Sequence, residues 1–327
     1  MTIFISTLRR RQSARPSRPT AWTSASCCTD KTPRVYHLFM DDVAVVTPTH
    51  GPDRMLCKQL NASVLEFTPW THYIVVDRRD LRLFVDLAGT RTKVITTEQI
   101  LPAEFVHLAF TRRWLSPWTL RPINGWIIQQ MIKISAAWFA KAELLLLADS
   151  DSVIARELDS SVLRNGSMTR TFRCKAGITP TMGWHLEWHQ NACRMLGVEP
   201  ESPPIDDFIG PVRVWDRELV RGMCARIEAV AGTRWQRLVS RTPQFAEFEL
   251  YGRYLTRVLG GEAPVVFDDV ERCHNYWDPM PMSEEVAREF ISSFTGMHYA
   301  YMISSHSNTN WSIRDLIRRR ISQGRLP

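Results

Sequence analysis

The sequence predicts an α/β fold, a mostly parallel sheet with helices packed on both faces. Three observations point there. Short β-type apolar runs alternate with stretches of helical period along the first half of the chain, the pattern of a doubly wound sheet. Leu144-Leu145-Leu146-Leu147 is apolar on both alternating faces, so that strand needs cover on each side. Finally, 327 residues with 44% hydrophobic and 23% charged content give a globular composition and enough chain to bury a large core. No apolar run approaches the roughly 20 residues of a membrane-spanning helix, which sets that class aside.

Taken in order, residues 1–39 are rich in Arg, Ser, Thr and Pro and almost lack acids. They have too little apolar surface to offset the entropy of ordering, so a disordered basic tail is expected. A single domain follows over 40–311. Its first strand is expected at Val43–Thr47, closed by Pro48-Thr49-His50-Gly51-Pro52, with a helix from about Asp53. His72–Asp77 and Lys93–Thr96 read as the second and third strands. From Gly125 to Ala140, the apolar positions Ile127, Met131, Ile134 and Trp138 keep helical spacing, joined by Ile128, Ile132 and Phe139. Gln129, Gln130 and Lys133 fall on the remaining surface, either solvated or leaning over a ligand.

Beyond the leucine-rich strand, Thr171–Lys175 reads as an edge strand, Gly183–Leu196 as a helix and Pro211–Trp215 as a strand. A helix should then run from an Asp216 cap to Gly232. Thr242 as cap, Pro243 in the first turn and Gly260 at the end predict a long helix with Phe245, Phe248, Gly252, Leu255 and Leu259 on one face. Glu249 flanks that face, and Glu247 stands away from it. Val265–Phe267, a helix near Ser283–Phe294 and a strand at Tyr299–Ser304 complete the order and deliver His306. Residues 312–327 form a basic C-terminal tail or helix.

The net charge of +7 is concentrated at the ends, in Arg9, Arg10, Arg11, Arg15 and Arg18 and in Arg314, Arg318, Arg319, Arg320 and Arg325. Such ends are solvated tails or a peripheral contact with anionic membrane, and no nucleic-acid partner is expected. Seven cysteines without a C-x-x-C pair argue against a disulfide framework or a zinc knuckle and point to a cytoplasmic location, with the inner face of the membrane as the peripheral site.

The most informative stretch is the junction from Leu144–Ala148 into Asp149-Ser150-Asp151. Open sheets bind ligands beyond the carboxyl ends of their strands. Two carboxylates there can hold Mn2+ or Mg2+ between protein and phosphate oxygens. Taken alone, Asp-Ser-Asp is equally good turn chemistry.

In order, Val45-Val46-Thr47-Pro48-Thr49, Gly125–Lys133, Asp149-Ser150-Asp151, Gly210–Asp216, Phe245–Gly252 and Ser305-His306-Ser307 give the chain its resemblance to the GT-A class of nucleotide-sugar glycosyltransferases. Within that class it resembles a poorly characterised bacterial glycosyltransferase-like family. The resemblance implies a metal-dependent transfer of sugar from a nucleotide-diphosphate sugar, a UDP-sugar being favoured, to a hydroxyl acceptor of the cell envelope, a polysaccharide or a secondary metabolite. It implies Asp149, Asp151 and His306 as metal ligands, with Glu247 or Glu249 as the catalytic base and Glu247 preferred. Thr47, Pro48, Thr49, Asp77, Gln129, Gln130, Lys133 and Asp149 are the implied nucleotide-side residues. On the acceptor side stand Asp206, Asp207, Gly210 and the indoles of Trp184 and Trp188, with Trp126 a further candidate for stacking on sugar.

Other readings stay open. A metal phosphoesterase or nucleotidyltransferase would use the same carboxylates, although no Gly-rich phosphate loop follows the first strand. An inactive sugar-binding module of the same fold is the non-enzymatic alternative. His185 and His189 are four apart, but the intervening Glu187 does not directly follow the first histidine, so the zinc-protease pattern is not met.

Overall fold

The computed structural model describes residues 41–108, 111, 113–119 and 122–322. The expected N-terminal tail and the last five residues lie outside this range. Five strands form the central sheet: β1 (Asp41–Pro48), β2 (Thr71–Val76), β3 (Thr92–Thr96), β4 (Ala142–Ala148) and β8 (Val212–Asp216). Their order is β8-β4-β1-β2-β3, parallel throughout except for β8, which runs antiparallel to β4. Val45 pairs with His72 on one side and Leu146 on the other.

The alternation inside these strands explains why both faces are covered. Ala44, Val46, Leu145 and Leu147 point into one core with Met131 and Ile134 of α2 (Gly125–Phe139) and Val220 and Met223 of α4 (Arg217–Ala231). Val43, Val45, Leu144 and Leu146 point into the other with Leu60 and Val64 of α1 (Arg54–Phe67). Fully burying each leucine contributes about 1.5–3 kcal/mol, so the run Leu144–Leu147 anchors the sheet centre from both sides.

Side-chain caps and glycine close several helix ends, those at Asp216 and Gly232 as expected. The Asn124 side chain accepts from the Ile127 N–H at the start of α2, and Asp216 accepts from Glu218 and Leu219 at the start of α4. Gly232 closes α4 at φ +63°, a left-handed conformation that glycine adopts without steric cost.

Between β4 and β8 the chain forms β5 (Ser152–Ile154), β6 (Met168–Phe172), β7 (Cys174–Ile178) and α3 (Gly183–Leu196). The expected single edge strand at Thr171–Lys175 is thus two strands that break at Arg173. After α4 come α5 (Trp235–Arg241), α6 (Glu247–Arg253), β9 (Val265–Asp268), β10 (Cys273–Tyr276), α7 (Glu284–Ser293), β11 (Ala300–Ile303) and α8 (Trp311–Ser322). A second sheet has the order β10-β11-β5, with β11 parallel to β10 and antiparallel to β5.

The long helix expected from a Thr242 cap is corrected. The Thr242 hydroxyl donates to the Leu238 carbonyl at 3.1 Å and ends α5, so the next helix begins only at Glu247. It continues beyond Arg253 as one π-helical stretch, Tyr254–Leu259, before Gly260 turns the chain at φ +57°. The C-terminal segment is helical from Trp311 to Ser322 and packs Ile313, Ile317 and Ile321 against α7 residues Ala287, Phe290 and Ile291. Among the described residues no helix is long and apolar enough to cross a membrane.

Candidate active site

The sheet order places a reversal between β1 and β4: from β1 the chain runs outward through β2 and β3, then returns to the other side of β1 as β4. Ligands of open α/β sheets bind at such a switch point, beyond the carboxyl ends of the strands. The loops that leave β1 and β4 meet there, and they line a cleft of about 1040 Å3 with Pro48, His50 and Asp53 from one and Asp149, Ser150 and Asp151 from the other.

The acidic triplet is a tied turn. Asp149 N–H donates to the Pro211 carbonyl at 2.9 Å, and Ser152 N–H donates to the Asp149 carbonyl at 3.0 Å. The Asp151 carboxylate accepts from Ser305 N–H at 2.7 Å, and Ile303 N–H donates to the Asp151 carbonyl. Pairing of β11 with β5 therefore brings His306, distant in sequence, to the same cleft. Ser150 Oγ donates to Asp53 Oδ2, which lies 3.4 Å from His50 Nδ1. Burial pushes the Asp151 carboxyl up to about 6, with the nearby Asp149 and, less, Asp53 adding to the rise and the Ser305 N–H opposing it.

Facing the triplet is an ammonium. Lys133 Nζ donates to Asp149 Oδ1 and Glu247 Oε1, each at 2.8 Å, and sits 4.6 Å from the centre of the Phe248 ring. Burial by itself would lower the Lys133 pKa, yet Asp149 and Glu247 together outweigh it and hold the group above its ordinary value. Gln130 Oε1 accepts from the Glu247 N–H at 2.9 Å. The buried Gln130 Nε2 has no hydrogen-bond partner among the described residues, and Gln130 lines the cleft. A buried donor left unpaired costs about 1–3 kcal/mol.

Of the residues expected from sequence, the structure brings Pro48, Gln129, Gln130, Lys133, Asp149, Asp151, Glu247 and His306 onto one cleft. Others stand elsewhere. Thr47 Oγ1 bonds His72 Nε2 in the core, and Thr49 is buried without lining the cleft. Asp77 is occupied by Arg79 and Thr97. Glu249, two residues and about 200° round the helix from Glu247, is buried in the core, where it pairs with Arg253 at 2.6 Å and accepts from His189 Nδ1 at 3.2 Å, and it does not line the cleft. Asp206 accepts from Ala176 N–H, and Asp207 accepts from Ile209 N–H and pairs with His185. Gly210 is explained by packing, because a Cβ there would fall on the Arg213 guanidinium. Trp184 does not line the cleft, and Trp188 reaches it only through contact with Trp126, whose ring lies 5.7 Å away.

Several lining residues were not singled out by sequence. Asp53 carried only a helix-start signal, and Trp277 and Trp311 no periodic one. Arg314, read as tail charge, is buried and donates to the carbonyls of Thr309, Ile303 and Ser304, fixing the loop that bears His306.

Among the described residues no three His, Cys, Asp or Glu side chains converge so as to hold a metal ion by themselves. Mg2+ is commonly held by one or two carboxylates with phosphate and water completing its shell. The carboxylates of Asp151 and Asp149, with Asp53 nearby, are oxygen donors of that kind, and one oxygen of Asp149 is already bonded to Lys133.

Residues 40–286 match the model of DUF6492, described as a family of unknown function. The chain belongs to the DUF6492 family. No curated protein matches this DUF6492 chain. Among solved structures it is similar to the galactosyltransferase LgtC in complex with donor and acceptor sugar analogs, at 12% identity over 86% of this chain and 95% of that one, with a TM-score of 0.42. An active-site mutant of LgtC gives 11% identity over the same shares, 86% and 95%, with a TM-score of 0.41. The apo bifunctional glycosyltransferase WbbM gives 10% identity over 81% of this chain and 46% of that one, with a TM-score of 0.42.

Proposed function

We propose that this chain is a glycosyltransferase that moves a sugar from a nucleotide-diphosphate sugar to a hydroxyl-bearing acceptor, with Mn2+ or Mg2+ at the diphosphate. One observation carries the reading: the two carboxylates that leave β4 at the switch point share a cleft with the ammonium of Lys133 and the carboxylate of Glu247. Asp151, Asp149 and His306 are the residues that would hold the cation, which when bound supplies Lewis-acid neutralisation of the departing diphosphate.

The remaining chemistry belongs to the chain's own side chains. Lys133 fixes Asp149 and Glu247 in one orientation and offsets their mutual repulsion. Gln130 offers an amide donor toward the cleft. Glu247 uses the oxygen that Lys133 does not take to accept a proton or a hydrogen bond from a substrate hydroxyl. The loop tied by Arg314 holds Ser305 against Asp151 and limits how far that carboxylate can turn. The exposed Arg318, Arg319 and Arg320 on α8 extend the proposal to a peripheral contact with anionic membrane at the cytoplasmic face.

A thermal-shift screen of nucleoside diphosphates and nucleotide sugars with and without Mn2+ tests the reading, since a ligand that binds only the folded state raises apparent stability. The expected result is stabilisation by a nucleotide sugar that grows with Mn2+. Release of inorganic phosphate from activated esters, with no stabilisation by any nucleotide sugar, would favour a phosphoesterase instead.

A further inference from the structure

We propose that Trp277 and Trp311 form an aromatic platform for a saccharide acceptor beside the donor site; the proposal rests on the transferase reading of the cleft and names the class of its second substrate. Both indoles line the cleft and both are open to solvent, Trp277 at 57% exposure and Trp311 at 42%. Trp buries about 150–250 Å2 when covered, so two half-exposed indoles at one cleft leave apolar area for a ligand to cover.

Both follow or open packed elements. Trp277 directly follows β10, and Trp311 opens α8, which is held by the burial of Ile313, Ile317 and Ile321 and by the three carbonyl bonds of Arg314. Exposed Asn308 and Asn310 lie on the same lining. A pyranose presents a C–H face that suits an indole and a rim of hydroxyls that suits amides and carboxylates, and this lining supplies both.

Placement puts the platform beside the metal end of the cleft. Trp277 and Trp311 bracket the loop that bears His306, Trp277 through the pairing of β10 with β11 and Trp311 along the chain, so an acceptor seated on them lies next to the diphosphate end.

The test uses the full chain on a glycan array and in calorimetric titrations, with UDP and Mn2+ as the donor-side probe. Wild type should bind at least one class of glycan. Trp277→Ala and Trp311→Ala should each weaken it about fivefold to tenfold, as loss of an aromatic contact of up to about 1.4 kcal/mol implies, and Trp→Phe should restore part of it. UDP affinity should stay within about twofold, on the same scale. If the alanine variants lose UDP instead, the indoles are a nucleobase platform and the proposal is overturned. Wild type that binds UDP but no glycan overturns the proposal while the donor reading stands. Wild type that binds neither overturns both.

Discussion

Replacing Lys133 with Met probes the bridge that organises the cleft. Lys133 and Glu247 are both buried, whereas Asp149 is partly open to solvent. Removing the ammonium strands one buried carboxylate, which costs about 3–5 kcal/mol when a buried pair is broken from one side. The Asp149 contact is screened and adds little. Loss of the cation over the Phe248 ring, 4.6 Å away, adds about 0.5–2 kcal/mol, partly recovered by the methionine's own packing. The expected total is about 3–5 kcal/mol, read by urea titration, with a fall in Tm of roughly 6–20 °C. Adding Glu247→Gln to Lys133→Met removes the stranded charge and should restore about 2 kcal/mol relative to the sum of the single changes. A Lys133→Met cost below about 1 kcal/mol, or strict additivity in the double variant, would refute the bridge as a structural unit.

His72 predicts the acid limb. Its Nδ1 donates to Asn61 Oδ1 and its Nε2 accepts from the Thr47 hydroxyl, and burial pulls its pKa from 6.5 down to about 3. The unfolded chain therefore binds one more proton than the native state between pH 6.5 and about 3, so stability is full above that window and falls as pH drops through it. The loss should be on the order of 4 kcal/mol; His72→Gln should flatten the slope in urea titrations at pH 7, 5 and 4, and an unchanged slope would count against it. Glu249→Gln should destabilise by about 3 kcal/mol through its broken pair with Arg253 yet leave turnover per folded molecule intact. Glu247→Gln should lower turnover by about 100-fold or more, so equal turnover losses in the two variants would contradict their assignment. Reversing Arg318, Arg319 and Arg320 to Glu should abolish partition onto phosphatidylserine vesicles while circular dichroism stays native, since each basic residue contributes about 1 kcal/mol there. Unchanged partition would remove the membrane contact.

The sheet was legible because its strands carry their evidence locally: an apolar run on both alternating faces has to be central, and a pair of aspartates at its end has to face the carboxyl edge. The helix Gly125–Phe139 was equally legible, but the role of its polar side was not. Periodicity places Lys133 and Gln130 off the apolar stripe, and only the later arrival of Glu247 converts that surface into a buried site. The late helix was misplaced because Thr242 can cap a following helix or close a preceding one, and the Leu238 carbonyl decides. Arg314 looked like tail charge since its partners are backbone carbonyls, which leave no mark in sequence. Glu247 and Glu249 could be ranked from helix geometry, but their separation into cleft and core depends on Arg253 and His189.

Calorimetric titration of a nucleotide sugar into wild type and Asp151→Asn, with Mn2+ present and then chelated, bears most directly on the switch-point site. Wild type should bind with Mn2+ and weaken by at least about tenfold without it, a difference of 1.4 kcal/mol or more, while Asp151→Asn should bind weakly and equally in both conditions. Equal affinity of wild type and Asp151→Asn for every nucleotide sugar, indifferent to Mn2+, would contradict a diphosphate held at that carboxylate pair.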